Sequence, residues 1–377
     1  MKRGRKNIYL LGSSSLLNDI GSEMITPLLP FLITSMGGAG LAIGLISGLR
    51  EGLSSVVKLL GGWFSDRTGN RKKFVFVGYL TSVIFRLGLA LANTWYAIIG
   101  LVSLERFGKI RDAPRDAIIV DSTTHRGKGF GIHQMMDTSG AILGSLIVLL
   151  LFWKLNWEFK SIIIVAAIIS SFSLLPLFFV HHTKSKPKNV KLFKGIKNLS
   201  PKLKYLIFVI SVFTLGNFGL YFFIILIIKN ITNSFAIPLL FYLLFNLVCA
   251  AFVEFFGDLS DKIGRKKVLM FGFVLFLAVS LGFVFNGNNL ISLGILFGFY
   301  GLVYAITMSN QKAFVSDLAG EYKGTVMGFY YFVIGLVNIA AGLIAGLLWD
   351  VSPQTMFIYT SVIAVLSIIL LGFVKED

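Results

Sequence analysis

The chain has 377 residues, of which 55% are hydrophobic and only 14% charged, against roughly 25% charged in an ordinary soluble domain. A soluble interior cannot bury that much apolar surface, because surface-to-volume scaling limits the core, so a cytosolic enzyme, a secreted domain and a disordered tail are excluded. The net charge of +17 reflects basic loops on one side of a membrane rather than nucleic-acid binding, and the lone Cys249 leaves no disulfide framework and no CxxC metal or redox motif.

The N-terminal basic run Lys2, Arg3, Arg5 and Lys6 leads into an apolar stretch that carries Asn18, Asp19 and Glu23. No small-residue cleavage site follows it, so it reads as a first membrane span and not a signal peptide. Apolar stretches of the length that a 30 Å hydrocarbon slab requires then recur. Twelve spans are predicted, over 8–34, 41–63, 74–92, 94–120, 128–153, 157–180, 204–229, 235–256, 266–285, 288–316, 324–348 and 354–374. Each is expected to be a helix, because a lone strand leaves its backbone unsatisfied in lipid. The predicted fold class is an all-α membrane protein of 12 transmembrane helices.

Lys and Arg fall on alternate loops. Arg67, Arg71, Lys72 and Lys73 follow span 2, Arg126 and Lys128 follow span 4, and Lys262, Arg265, Lys266 and Lys267 follow span 8. The opposite loops hold Lys154, Lys160 and Lys229. This asymmetry predicts a multi-pass protein of the cell membrane with both termini in the cytoplasm. The segment 181–203 is a basic cytoplasmic linker between a half at 1–180 and a half at 204–377. Within it Leu192, Phe193, Ile196 and Leu199 have helical spacing, which fits either a short helix on the inner leaflet or a solvated loop.

The halves repeat. Gly62-Trp63-Phe64-Ser65-Asp66-Arg67-Thr68-Gly69 matches Gly257-Asp258-Leu259-Ser260-Asp261-Lys262-Ile263-Gly264, and Arg71-Lys72-Lys73 matches Arg265-Lys266-Lys267. Downstream, Asp121, Arg126, Gly127 and Gly131 match Asp317, Lys323, Gly324 and Gly328. Two parallel halves are a known plan for transporters. Glycine at 62 and 69 permits a tight turn and close helix approach. Asp66 is placed to meet the amide-rich end of a neighbouring helix.

These residues resemble the major facilitator superfamily of secondary transporters. The loop from Gly62 to Lys73 is similar to its signature between spans 2 and 3, and 257–267 is the degenerate second copy. Arg106 is placed like the buried arginine of the family's second motif, without the glutamine-glycine that usually follows. Span 5 has Gly140-x-x-x-Gly144 and then Ser145, where the exporters' motif has proline. The resemblance implies two six-helix halves with pseudo-twofold symmetry. It also implies a gating role for Gly62, Asp66, Arg67, Gly69 and Arg71, and for Gly257, Asp261, Gly264 and Arg265, with Asp66 latching the outward-open state.

A rise of about 1.5 Å per residue sets Asp19, Arg50, Glu51, Arg86, Glu105, Arg106 and Asp137 near mid-depth, with Glu23 one turn from Asp19. Such charges cost at least about 2.5–3.5 kcal/mol each in lipid and are functional candidates by default. Five acids against three arginines leave an excess of two negative charges, which protonation relieves. The expectation is proton coupling, carried by Asp19, Glu23, Glu105 or Asp137. The alternative is that these groups are ion pairs fixing helix packing.

His133-x-x-x-Asp137 lies on one helix face. It fits a structural contact, a proton relay, or two ligands of a metal site that needs a third, such as Asp19 or Glu105; no metal or cofactor is expected. Arg111/Arg115 and Asp112/Asp116 form two i,i+4 rows around Pro114, which should kink the helix. Asp112, Arg115 and Asp116 are candidates for an inner gate. The second half offers uncharged Asn217, Tyr221, Asn246, Tyr300, Tyr304 and Asn338, suited to hydrogen bonding and aromatic contact with a substrate, or to interhelical bonds.

The function expected is secondary active transport of a small solute, with protons, by a monomer in the bilayer. No GxxxxGK[ST] loop occurs, so a built-in ATP motor is excluded. A membrane-embedded acyltransferase-like enzyme would need a nucleophile–base set for which only His133 and Asp137 offer themselves. A passive channel or scramblase would have no use for a paired gate. Substrate and direction stay open.

Overall fold

A computed structural model describes residues 2–122, 126–181, 199–217, 220–230, 236–286, 289–318 and 323–374. Among these residues every regular element is helical. The helices run α1 Lys2–Ile25, α2 Leu29–Ser35, α3 Gly40–Thr68, α4 Arg71–Leu89, α5 Trp95–Arg106, α6 Asp112–Ser122, α7 Arg126–Leu149, α8 Phe159–Ser171 and α9 Leu175–Phe178. They continue as α10 Pro201–Gly216, α11 Tyr221–Asn230, α12 Ala236–Ile263, α13 Arg265–Phe285, α14 Leu290–Asp317, α15 Lys323–Val351 and α16 Pro353–Gly372. The expected linker helix around Phe193 and Ile196 lies outside the described residues.

Ten of these helical segments are long and apolar enough to cross a membrane. The predicted third and fourth spans miss that standard because of their charges. Helix α4 carries Arg71, Lys72, Lys73 and Arg86 in 19 residues. The fourth is α5 and α6 joined by a 3₁₀ turn at Phe107–Arg111. Pro114 lies in the first turn of α6, where a proline is tolerated. Its ring excludes the carbonyl of Ile110 from helical geometry, so the break falls one turn earlier than Pro114 itself. The first span breaks similarly, into α1, a 3₁₀ turn at Thr26–Leu28 and α2, around Pro27 and Pro30.

Helix starts are capped as their sequences suggest. Thr94, Ser200, Asn289 and Ser352 each accept an N–H from the first turn of the helix that follows, satisfying donors that would otherwise be orphaned in the membrane interface.

Contacts group residues 1–38 with 53–192, and 39–52 with 193–377. In the first unit α1 packs along α7. The spacing Gly140-x-x-x-Gly144 lets it: a Cβ at Gly140 would lie 2.6 Å from the Leu16 carbonyl, and one at Gly144 would meet that of Ile20. Small residues at four-residue spacing permit this approach. The interior below is apolar, with Ile8, Leu11, Val75, Tyr79, Ile118, Ile119, Leu177 and Val180 buried together.

The second unit includes the first half of α3, which packs on α15 through glycines. Added Cβ atoms at Gly40, Gly44, Gly48 and Gly52 would strike the backbone of Gly346, Gly342, Asn338 and Gly335 in turn. Asp350 accepts the N–H groups of Gly40 at 2.7 Å and Leu41 at 3.0 Å, closing the N-terminal end of α3 with an anion where the helix dipole favours one.

Candidate functional site

The repeated loop is built the same way twice. Most of the motif is helical: α3 runs to Thr68 and α12 to Ile263. Only Gly69 (φ +70°) and Gly264 (φ +104°) make the turn, in a backbone region that side chains disfavour. Gly62 therefore serves packing and not the turn, with a Cβ there 3.2 Å from that of Ala113. Gly257 has open space at the same place, so the expected close approach holds in the first copy alone.

Around each turn the same side chains bond. Ser65 and Ser260 donate back to the carbonyls of Gly62 and Gly257, at 2.9 and 2.7 Å. Arg71 pairs with Asp66 at 3.4 Å and with Asp121 at 2.5 Å. Arg265 pairs with Asp261, and with Asp317 at 3.1 Å. Lys72 donates to the carbonyls of Phe178 (3.1 Å) and Val180 (2.8 Å). Lys266 does so to Gly372 (2.7 Å) and Val374 (2.6 Å). A lysine at a helix C-terminus satisfies carbonyls that have no intrahelical partner. Each loop thus ties the third helix of its half to the second, the fourth and the last. Arg67 instead lies over the Trp63 ring, 5.3 Å from its centroid.

A charge cluster occupies the first unit. Arg86, 2% exposed, donates to Asn18 O (2.9 Å), Asn18 Oδ1 (3.0 Å), Ser170 Oγ (2.7 Å) and Glu105 Oε1 (3.0 Å). Arg106 pairs with the other oxygen of Glu105. Glu105 is thereby shared by two guanidinium groups and set apart from the remaining acids proposed to carry protons. Further along the same span, Asp112 is bridged by Lys58 (3.4 Å), Arg115 (3.6 Å) and Arg111 (3.9 Å). Arg115 also holds Asp116 at 3.1 Å and donates to Ser15 Oγ at 3.4 Å. Arg111 is stacked 4.4 Å over Tyr79 and donates to Ser82 and to the carbonyl of Gly108. The gate candidates Asp112, Arg115 and Asp116 thus lie together. Lys58, Tyr79 and Ser82 come from other helices, and no local pattern announces them.

Asp19 and Asp137 lie within electrostatic reach of one another, and Lys109 and Arg111 within reach of Asp19. Asp19 accepts from Asn18 Nδ2 at 3.0 Å. His133 Nδ1 lies 3.7 Å from Asp137 Oδ2, while His133 Nε2 and Asp137 Oδ1 are buried with no hydrogen-bond partner among the described residues. Among the described residues no third His, Cys, Asp or Glu joins the pair in a metal-binding group. Glu23 sits over Gly144 of α7.

Arg50 and Glu51 depart from the expected first-half charge set. They lie in the segment that packs with the second unit: Arg50 is 5.9 Å from the centroid of the Tyr221 ring, and Glu51 is within electrostatic reach of Tyr304. The second unit is therefore not the uncharged body its own half suggests. Its polar residues are set in aromatics. Tyr300 donates to Asn217 Oδ1 at 2.7 Å, across the break between α10 and α11. Tyr304 stands edge-on to Phe245 and Tyr300. Asn246 bonds the carbonyl of Tyr242 in its own helix at 3.0 Å, and the backbone of Asn338 lies against Gly48.

The profile of the Major Facilitator Superfamily matches residues 11–253 and 206–377. The chain belongs to this superfamily. It is 48% identical over 378 residues to an uncharacterized MFS-type transporter of Methanocaldococcus jannaschii, covering 98% of this chain and 95% of that one. It is 26% identical over 211 residues to the multidrug resistance protein MdtH of Proteus mirabilis, covering 54% of this chain and 51% of that one. In fold it is similar to the nucleoside transporter NupG, with TM-score 0.79 and 15% identity over 98% of this chain and all of that one. It is also similar to the peptide transporter POT solved with sulfate, with TM-score 0.79 and 16% identity over 98% and 93% of the two chains. The protein is a multi-pass, all-helical membrane transporter that handles small molecules.

Proposed function

We propose that this superfamily member moves a small solute together with protons, by alternating access of two six-helix halves around a midplane site. The observation that carries the proton part is the group of Asp19, Asp137 and His133. Among the described residues neither Asp19 nor Asp137 has a Lys or Arg within 4 Å, in contrast to Glu105, Asp112 and Asp116. A carboxyl that no fixed cation neutralises is available to gain and lose a proton, and His133, whose Nε2 has no hydrogen-bond partner among the described residues, offers a neighbouring relay atom. Glu105, locked between two arginines, serves packing.

The duplicated loop supports the alternating part. Two copies with the same bonds give each half its own rigid corner, which suits bodies that move as units. In this reading the basic loops face the cytoplasm, both termini are cytoplasmic, and the monomer in the cell membrane is the working form. The acyltransferase alternative gives no use to the duplicated loop and its repeated bonds. The test is proteoliposomes loaded with the pH dye pyranine and challenged with a solute panel. A solute that moves protons through the wild type, and not through Asp137→Asn, supports the proposal. Solute movement with no proton flux, alike in both proteins, refutes the coupling.

A further inference from the structure

The geometry points to a subsite for an anionic headgroup, a carboxylate or phosphate of the carried solute, at Lys109 and Lys58 of the first unit. This inference rests on the transport reading and names the chemical class that the same site accepts.

Lys109 stands on the 3₁₀ turn Phe107–Arg111 that interrupts the fourth span. The turn, imposed by Pro114, takes the Lys109 backbone out of regular helical geometry. The turn is held against α4 by two glycines: a Cβ at Gly78 would lie 2.5 Å from the Gly108 carbonyl, and one at Gly108 would lie 2.7 Å from that of Gly78. With its neighbours Gly108 and Ile110 pinned to adjacent helices, the Lys109 backbone is fixed while its side chain stays half-buried.

Three nearby acids are already held by cations. Asp112 is shared by Lys58, Arg111 and Arg115. Asp116 is held by Arg115. Asp19 takes the amide of Asn18, and Glu105 is taken by Arg86 and Arg106. Asp112 and Asp19 lie within electrostatic reach of Lys109, as do Arg111 and Lys58, yet among the described residues Lys109 makes no ion pair within 4 Å. Of the four cations here, Lys58 and Arg111 touch Asp112 and Arg115 touches Asp112 and Asp116, so among the described residues Lys109 alone of the four has no acid within 4 Å. An ammonium held at membrane depth without a contact anion is unfavourable, and an incoming carboxylate or phosphate relieves it through a charge-assisted hydrogen bond. Lys58 is the second arm: its side chain is 38% exposed, and its single bridge to Asp112 can be exchanged for the ligand's oxygen. Arg111 is committed to Tyr79, Ser82 and Gly108 and stays part of the frame.

The test uses the purified full chain in phospholipid-free detergent, with thermal unfolding followed by tryptophan fluorescence. Sodium succinate and sodium phosphate are the probes, each against sodium chloride of equal ionic strength, and tetraphenylphosphonium chloride is the cationic counterpart. Wild type should be stabilised by succinate or phosphate. Lys109→Gln should bind that anion about tenfold or more weakly, the loss of one hydrogen bond to a charged group. Lys109→Arg should keep most of the affinity. Absence of any anion-specific shift in wild type overturns the inference, as does an equal shift in Lys109→Gln. Stabilisation by tetraphenylphosphonium alone overturns it too. A neutral or cationic solute that drives proton flux in proteoliposomes would leave the transport reading standing while this subsite falls.

Discussion

Glu105→Gln removes one negative charge and almost no volume, so its effect measures what the carboxylate does. In the wild type Glu105 is 3% exposed and bridges Arg86, 2% exposed, and Arg106, 6% exposed. The substitution leaves Arg86 its neutral acceptors on Asn18 and Ser170 and leaves both guanidinium groups without the shared carboxylate. Removing one partner of a buried ion pair costs about 3–5 kcal/mol, because the remaining charge stays buried. At roughly 2–4 °C per kcal/mol for a cooperative unit of ~200 residues, the melting temperature in detergent should fall by about 10 °C. Asp137→Asn, which breaks no pair with a Lys or Arg, should melt within about 2 °C of wild type. Near-equal melting of Glu105→Gln and wild type would refute the packing role and return Glu105 to the set of proton carriers.

Other outcomes follow from particular contacts. Gly342→Leu forces a side chain into the backbone of Gly44 and Gly48 and should destabilise by about 1–3 kcal/mol as overpacking does, read by chemical denaturation in detergent. Lys72→Met and Lys266→Met each remove two carbonyl contacts, and each should lower stability by about 1 kcal/mol. Unequal losses would show that the two corners are not equivalent. Gly264→Ala places a side chain at φ +104° and should destabilise by about 1 kcal/mol or more, whereas Gly257→Ala, with open space at its Cβ, should be neutral or slightly stabilising; amide exchange at the α12–α13 turn separates them.

Much of the fold was legible because lipid imposes a coarse rule: long apolar runs must be helices, and those runs are plain in the chain. Where the rule met charge it blurred. Span 4 was read as one helix, and Pro114 marked the kink, but the backbone breaks at Phe107–Arg111 because the proline acts on the residue four before it. The repeated loop showed which residues matter and not what they touch. Arg71 and Lys72 are visible in both copies, while their partners Asp121 and the Val180 carbonyl are 50 and 108 residues away. The docking of Gly40–Gly52 on α15 had a readable sign, glycine every fourth residue in α3, that passed as ordinary helix composition. Arg50 and Glu51, on that segment, group with the second unit. Lys58 and Lys109 stand outside the midplane charge count, since neither is near mid-depth by simple rise along a straight helix.

Solute exchange and proton flux measured in the same proteoliposomes test proton-coupled transport most directly. With a solute found by the pyranine screen, wild type should accumulate label down an imposed pH gradient and also exchange it by counterflow, while Asp137→Asn should exchange label yet fail to accumulate it. Gradient-driven accumulation left intact in Asp137→Asn and in Asp19→Asn would contradict proton carriage by these carboxyls, and label leaking freely without saturation or exchange would contradict a transporter altogether.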